Sequence, residues 1–100
     1  MAILERRIQK IISSGTEYNE WEKKWEVIEQ RIGGFSAKRH YFLISGSDDL
    51  GTMVWEREWE SFAAIEAAYG KLTQDSEMAG LMNNSGKIVG SERIEYYSIR

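Results

Sequence analysis

A two-layer α+β plait, four antiparallel strands with two helices on one face, is the fold class this sequence predicts. Three features carry that reading: a β-branched opening run, two amphipathic helical stripes flanking a pair of strands, and a β-rich segment near the end. In order they spell βαββαβ.

Residues 3–12, ILERRIQKII, are β-branched at Ile3, Ile8, Ile11 and Ile12 and stop at Ser13-Ser14-Gly15, so they read as a strand. Thr16 is placed to cap a helix, with Glu17 and Glu20 in the first turn, where the helix dipole favours anions. Tyr18, Trp21, Trp25, Ile28 and Ile32 follow at spacings of three and four, a single apolar stripe. Arg31 in the last turn and Gly33-Gly34 end the helix. Residues 35–45, FSAKRHYFLIS, predict a long second strand, and GSDDLG, 46–51, has the composition of a hairpin turn. The third strand is TMVWERE, 52–58, with Trp59 at the corner that leads into the next helix. Ser61 is the expected N-cap there, and Phe62, Ile65, Tyr69 and Leu72 form the second stripe, diluted by alanines. A short helical turn after Asp75-Ser76 is expected to carry Met78, Leu81 and Met82, followed by an NNSG loop at 83–86. ERIEYYSI, 92–99, is the last strand, and KIV, 87–89, is left unassigned. This is the ferredoxin-like plait, a single domain over 1–100.

Composition narrows the function classes. The chain is 42% hydrophobic, which is globular rather than disordered, and carries a net charge of -3 without a Lys/Arg cluster, which argues against nucleic acid. The absence of cysteine excludes disulfides and thiolate metal sites and fits a reducing, cytoplasmic setting. No apolar run approaches the roughly 18 residues of a membrane span, and MAILERRIQK lacks the apolar core of a secretory signal, so no membrane role is expected.

A sheet with one wet face alternates apolar and polar residues. Here both parities are apolar: Phe35, Ala37, Tyr41 and Leu43 against Phe42 and Ile44; Met53 and Trp55 against Val54; Ile94 and Tyr96 against Tyr97 and Ile99. Two helices cover one face only. The other is expected to meet a second copy of the chain about a twofold axis, giving a homodimer through the sheet face. A different protein bound at that face is the alternative.

The ERRI of the first strand, the Trp- and Glu-rich helix and the stretch ISGSDDLGTMVWEREWESFAAIEAAYGKLTQDSEM resemble the dimeric α+β barrel superfamily, and within it the NIPSNAP-like proteins. The resemblance implies an eight-stranded barrel built from two sheets, with a cavity between each sheet and its own helices or its partner. It implies no particular reaction, because this architecture hosts unrelated activities. Relatives of the barrel include cofactor-free monooxygenases of phenols and quinols. Others degrade haem with an Asn on the first strand and a His on a helix; here that strand has no Asn and the one His lies in a strand, which disfavours that chemistry.

His40, the only histidine, is the natural general base, and Arg7 could hold a carboxylate or enolate oxygen. Packing is the commoner use of such a histidine, and an ion pair with Glu5, Glu56 or Glu95 the commoner use of such an arginine. Trp55 and Trp59, with Tyr41, Tyr97 and Arg57, are the expected ligand contacts for a flat aromatic molecule, set against plain core or interface filling. Trp21 and Trp25 belong to the core stripe. Hairpin register decides which of these share a face. Pairing 40 with 57 groups His40, Phe42, Trp55 and Arg57, and sets Arg39 opposite Glu58. A one-residue slip groups Tyr41, Leu43, Trp55 and Arg57, and sets His40 opposite Glu58. Both remain open from sequence.

Asp48, Asp49 and Glu56 lack calcium-loop spacing, GLMNNSGKI misses the phosphate-loop pattern, and no His pair or Cys supports a metal, so neither metal nor cofactor is expected. The reading that results is a homodimeric NIPSNAP-like barrel binding a small apolar or aromatic molecule. A cofactor-free monooxygenase is one alternative, and a structural or protein-interaction dimer without ligand is the other.

Overall fold

The structure is a computed structural model and describes residues 2–100. Its elements are β1 (Ile3–Ile11), α1 (Gly15–Ile32), β2 (Arg39–Phe42), β3 (Thr52–Trp59), α2 (Phe62–Leu72), α3 (Ser76–Ile88) and β4 (Val89–Ser98). The four strands form one antiparallel sheet in the order β2-β3-β1-β4, the ferredoxin-like plait. The odd-numbered residues of β1, from Ile3 to Ile11, face the helices. Ile3 and Trp59 pack on Ile65 and Ala68 of α2; Trp25 and Ile28 of α1 meet Leu72 and Leu81; Tyr18 and Met53 meet Ile88 of α3.

Local chemistry explains most boundaries. The cap of α1 is Ser14 rather than Thr16: its hydroxyl accepts from the Glu17 N–H, so the helix begins one residue before the threonine. Gly33 and Gly34 take φ of 81° and 86°, and the Gly33 N–H closes on the Glu29 carbonyl. Ser61 caps α2 through the Ala64 N–H.

Two expectations about the extent of elements are corrected. The second strand is Arg39–Phe42, not 35–45. Phe35 leaves the ladder to pack edge-on against Trp59 and Tyr69, with ring centroids 5.6 and 5.3 Å away, and the Ser36 hydroxyl donates to the Glu58 carbonyl at 2.6 Å in place of a backbone donor. The NNSG stretch is not a loop. It continues α3, capped by Asp75, because Leu81 and Ile88, two turns apart, are both buried, and tertiary burial outweighs the poor helix propensity of Asn, Ser and Gly. That helix ends at Ile88, so Val89 alone of KIV joins β4.

The hairpin register is neither of the two expected. His40 pairs with Trp55, Arg39 with Glu56 and Phe42 with Met53. Because this register differs from the 40–57 pairing by an even number, that alternative's grouping of His40, Phe42, Trp55 and Arg57 on one face is retained. Beside the register shift at Lys10/Ile11, a Cβ on Gly90 would lie 2.8 Å from Ile12 Cγ2, so only glycine lets β4 approach there undisturbed.

The face away from the helices carries Leu4, Ile8, Val54, Tyr41 and Tyr97 among charged residues of both signs. Arg6 and Glu56 pair across it at 2.7 Å, and the Arg6 guanidinium lies 4.9 Å from the Tyr97 ring. The face is therefore mixed, not uniformly apolar as the parity count suggested. Part of the apolar surface is at the edge strands, where Phe42, Ile94 and Tyr96 point to the helix side yet stay exposed.

Candidate functional site

The helix-facing side of the sheet is not a plain hydrocarbon core. Glu5, Gln9 and Arg57 on the strands and Glu22 and Glu29 on α1 are all buried. Buried charges persist only when paired and hydrogen-bonded, and here they form two networks.

In the first, Glu5 is fully buried and gathers three donors. Oε1 accepts from Trp59 Nε1 at 2.8 Å, Oε2 accepts from Arg7 Nε at 2.9 Å, and the Tyr69 hydroxyl reaches Oε2 at 2.8 Å. Arg7 also donates through Nη1 to Glu92 at 2.7 Å and through Nη2 to the Tyr69 oxygen at 3.3 Å. Gln9 donates to the other Glu92 oxygen at 2.7 Å and accepts from the Tyr18 hydroxyl at 2.6 Å. Burial opposes the charge on Arg7, but Tyr69, Glu5 and Glu92 outweigh it and hold the guanidinium protonated more firmly than usual. Burial also pushes the Tyr18 and Tyr69 hydroxyls well above their ordinary range, so both stay neutral donors.

In the second, two turns of α1 place Glu22 and Glu29 seven residues apart on one face. Lys38 Nζ lies 3.0 Å from Glu22 and 3.4 Å from Glu29, and 4.6 Å from the centre of the Trp55 ring. His40 Nε2 meets Glu22 at 2.9 Å, and Arg57 Nη2 donates to Glu29 at 2.6 Å. Burial resists ionisation of Glu22, yet His40 and Lys38 prevail and hold its carboxyl below the usual range. Arg57 Nε and Nη1 have no hydrogen-bond partner, but the guanidinium sits among Phe35, Trp55 and Trp59 at 4.9, 5.1 and 5.7 Å, where ring faces supply the negative potential.

Between these networks lies a cavity of about 490 Å³. Its aromatic wall is Trp21, Trp25, Trp55 and Tyr69; Leu72, Met78 and Met82 add apolar surface; Arg7, Gln9, Lys38, Glu22, Glu29 and Glu92 supply the polar part. The volume lies within the range of small-molecule sites, and the lining has their usual make-up of apolar walls with a few placed polar groups.

Of the residues singled out from sequence, Arg7 and Trp55 line the cavity. Arg57 and Trp59 share its face of the sheet and are buried beside it. His40 reaches it through Glu22. Tyr41 pairs with Val54 and Tyr97 with Leu4, which puts both tyrosines on the opposite face, away from the cavity. Arg7 does form the expected ion pair with Glu5, and adds one with Glu92. Sequence reasoning missed Glu22, Glu29 and Glu92. The first two carried a usable signal, since each stands four residues after an aromatic of the buried stripe, Tyr18 and Trp25. Glu92 carried none, because its role depends on the β1–β4 register.

No protein-family model matches the chain, and no curated protein matches it in sequence. Solved structures do match in fold. A NIPSNAP family protein from Agrobacterium tumefaciens superposes with a TM-score of 0.75 at 17% identity, covering 100% of this chain and 94% of the other. A NIPSNAP-like domain protein from Burkholderia xenovorans gives 0.76 at 13% identity, covering 99% and 85%. A mutant of SnoaB, a cofactor-independent oxygenase from Streptomyces nogalater, gives 0.72 at 10% identity, covering 99% and 93%. At these identities the likeness is one of fold. Among the described residues no helix is long and apolar enough to cross a membrane.

Proposed function

We propose that this protein is a homodimer whose cavity binds a small, flat, apolar or aromatic molecule. The observation that carries the reading is the cavity of about 490 Å³ walled by Trp21, Trp25, Trp55 and Tyr69. Aromatic walls bury a planar ligand with large contact area, and the buried ion pairs below hold those walls in place. Trp55 is the central ligand contact, with Arg57 and Trp59 supporting it from beneath. Tyr41 and Tyr97 belong instead to the dimer face. That face bears Arg6, Arg39 and Arg93 together with Glu56, Glu58 and Glu95, so a twofold copy can set unlike charges opposite one another around Leu4, Ile8 and Val54.

Binding is tested by tryptophan fluorescence and thermal shift against flat phenols, quinones, fatty acids and haem. A ligand that seats in the cavity quenches Trp21, Trp25 or Trp55 and raises the melting temperature. If no compound does either, the protein is a structural dimer and the reading fails.

The second reading is a cofactor-independent oxygenase, supported by the fold shared with SnoaB. Arg7 would hold a developing oxyanion, and the Glu22–His40 pair would accept a substrate proton. Oxygen uptake with a reduced quinol tests it; a rate unchanged by His40→Ala and Arg7→Ala removes both roles.

A further inference from the structure

The cavity's charges are unevenly exposed, and that unevenness points to what it binds. Its two cations are each committed to a pair of carboxylates: Arg7 to Glu5 and Glu92, Lys38 to Glu22 and Glu29. An anionic ligand approaching either cation would meet two carboxylates already there, so the lining disfavours a ligand that arrives as an anion despite containing Arg and Lys. The three cavity carboxylates differ among themselves. Glu22 and Glu29 have side chains only 7% exposed, and both oxygens of each already face cations or His40. Glu92 is 29% exposed in its side chain, and each of its oxygens accepts a single bond, one from Arg7 and one from Gln9. A carboxylate oxygen can accept two, so all three carboxylates keep acceptor capacity, but at 29% against 7% exposure the oxygens of Glu92 are the more accessible to a molecule in the cavity.

Glu92 is also held still. It pairs with Gln9 across the β1–β4 ladder, and Gln9 is itself locked by the hydroxyl of the buried Tyr18 at 2.6 Å. The Arg7 guanidinium that grips its other oxygen lies 5.3 Å from the Trp55 ring and 5.5 Å from the Tyr69 ring. An oriented acceptor therefore stands beside the aromatic wall.

We propose that Glu92 is the specificity residue of this cavity, selecting an uncharged aromatic molecule that offers a hydroxyl or amine N–H to its carboxylate. This rests on the ligand-binding reading above and narrows it: the ligand is a hydrogen-bond donor, and aryl carboxylates are poor ligands. A hydrogen bond to a charged acceptor corresponds to about tenfold or more in affinity.

The experiment is isothermal titration at pH 7 of the intact protein with three matched probes: 2-naphthol, 2-methoxynaphthalene and 2-naphthoate. The wild type should bind 2-naphthol about tenfold tighter than either of the others. Glu92→Gln should bring naphthol and its methyl ether to within about threefold, and should strengthen naphthoate because Arg7 then lacks one of its carboxylates. A residue with only a structural role would weaken all three together. If wild type binds naphthol and the ether alike, or if the variant keeps the tenfold gap, the role of Glu92 is overturned while the cavity reading stands. If none of the three binds, the role of Glu92 is overturned, and the cavity reading falls with it only if the quinones, fatty acids and haem of the thermal-shift panel fail as well. The wild-type comparison decides without the variant. A naphthol complex solved by crystallography provides a second check: the ligand oxygen within hydrogen-bond distance of Glu92 supports the proposal, and its placement elsewhere overturns it.

Discussion

Replacing Glu5 by Gln keeps the shape of a fully buried side chain and removes its charge. The two carboxylate oxygens receive Trp59 Nε1 at 2.8 Å, Arg7 Nε at 2.9 Å and the Tyr69 hydroxyl at 2.8 Å. A glutamine amide can offer an oxygen to only one side. Its NH2 then faces either the Trp59 N–H or the Arg7 N–H, donor against donor. The loss combines a charge-assisted hydrogen bond, about 1.5–3 kcal/mol, with an unsatisfied buried donor, about 1–3 kcal/mol. Arg7 retains Glu92 and some exposure, which moderates the penalty, so a destabilisation of about 3–5 kcal/mol is expected. Against the roughly 5–15 kcal/mol of a typical domain this is large, and at about 4–8 °C per kcal/mol it lowers the melting temperature by at least about 12 °C. The assay is urea unfolding at one fixed protomer concentration, since association would otherwise shift the midpoint. Arg7→Met in the Glu5→Gln background supplies the control. Removing the stranded cation should make the double variant less destabilised than the sum of the two singles. A Glu5→Gln protein within about 0.5 kcal/mol of wild type, or strict additivity, would refute a network built on Glu5.

Acid should weaken the fold through Glu22. Its folded pKa is depressed, so its contribution is complete above the ordinary Glu value of about 4.3 and disappears as pH falls through the lower folded value; urea midpoints against pH should show this, with a shallower slope in Lys38→Met. Gly90→Ala forces a methyl toward Ile12 Cγ2 and should cost about 1–3 kcal/mol, partly recovered by Ile12→Ala, as measured by unfolding. Val54→Glu, at the centre of the helix-free sheet face, should convert a dimer into the 11.6 kDa monomer in sedimentation at micromolar concentration. A wild type that already sediments as a monomer contradicts the dimer.

The legible part of this molecule is what neighbouring residues decide. Ser61, Gly33 and Gly34 act within one turn of their own positions, and the stripe from Tyr18 to Ile28 marks a buried face because 3.6-residue periodicity is local. The stretch 35–45 misled because Phe35 and Lys38 serve the core from outside any ladder, which only their distant partners reveal. NNSG misled for the opposite reason: its weak helix propensity is overruled by Leu81 and Ile88 on either side.

The site divides along the same line. Arg7 and Trp55 stood out by residue type and strand position, and both line the cavity. Tyr41 and Tyr97 stood out equally, but a register that pairs His40 with Trp55 turns Tyr41 to the other face. From sequence alone come the plait, its helix ends and the expectation that both sheet faces are more than solvent-facing. Which carboxylate meets which cation, and that Glu92 is the most exposed of the three cavity carboxylates, was decided by tertiary structure. Charges separated by 85 residues, as Arg7 and Glu92 are, interact only once the chain has brought them within 3 Å, and no local pattern encodes that distance.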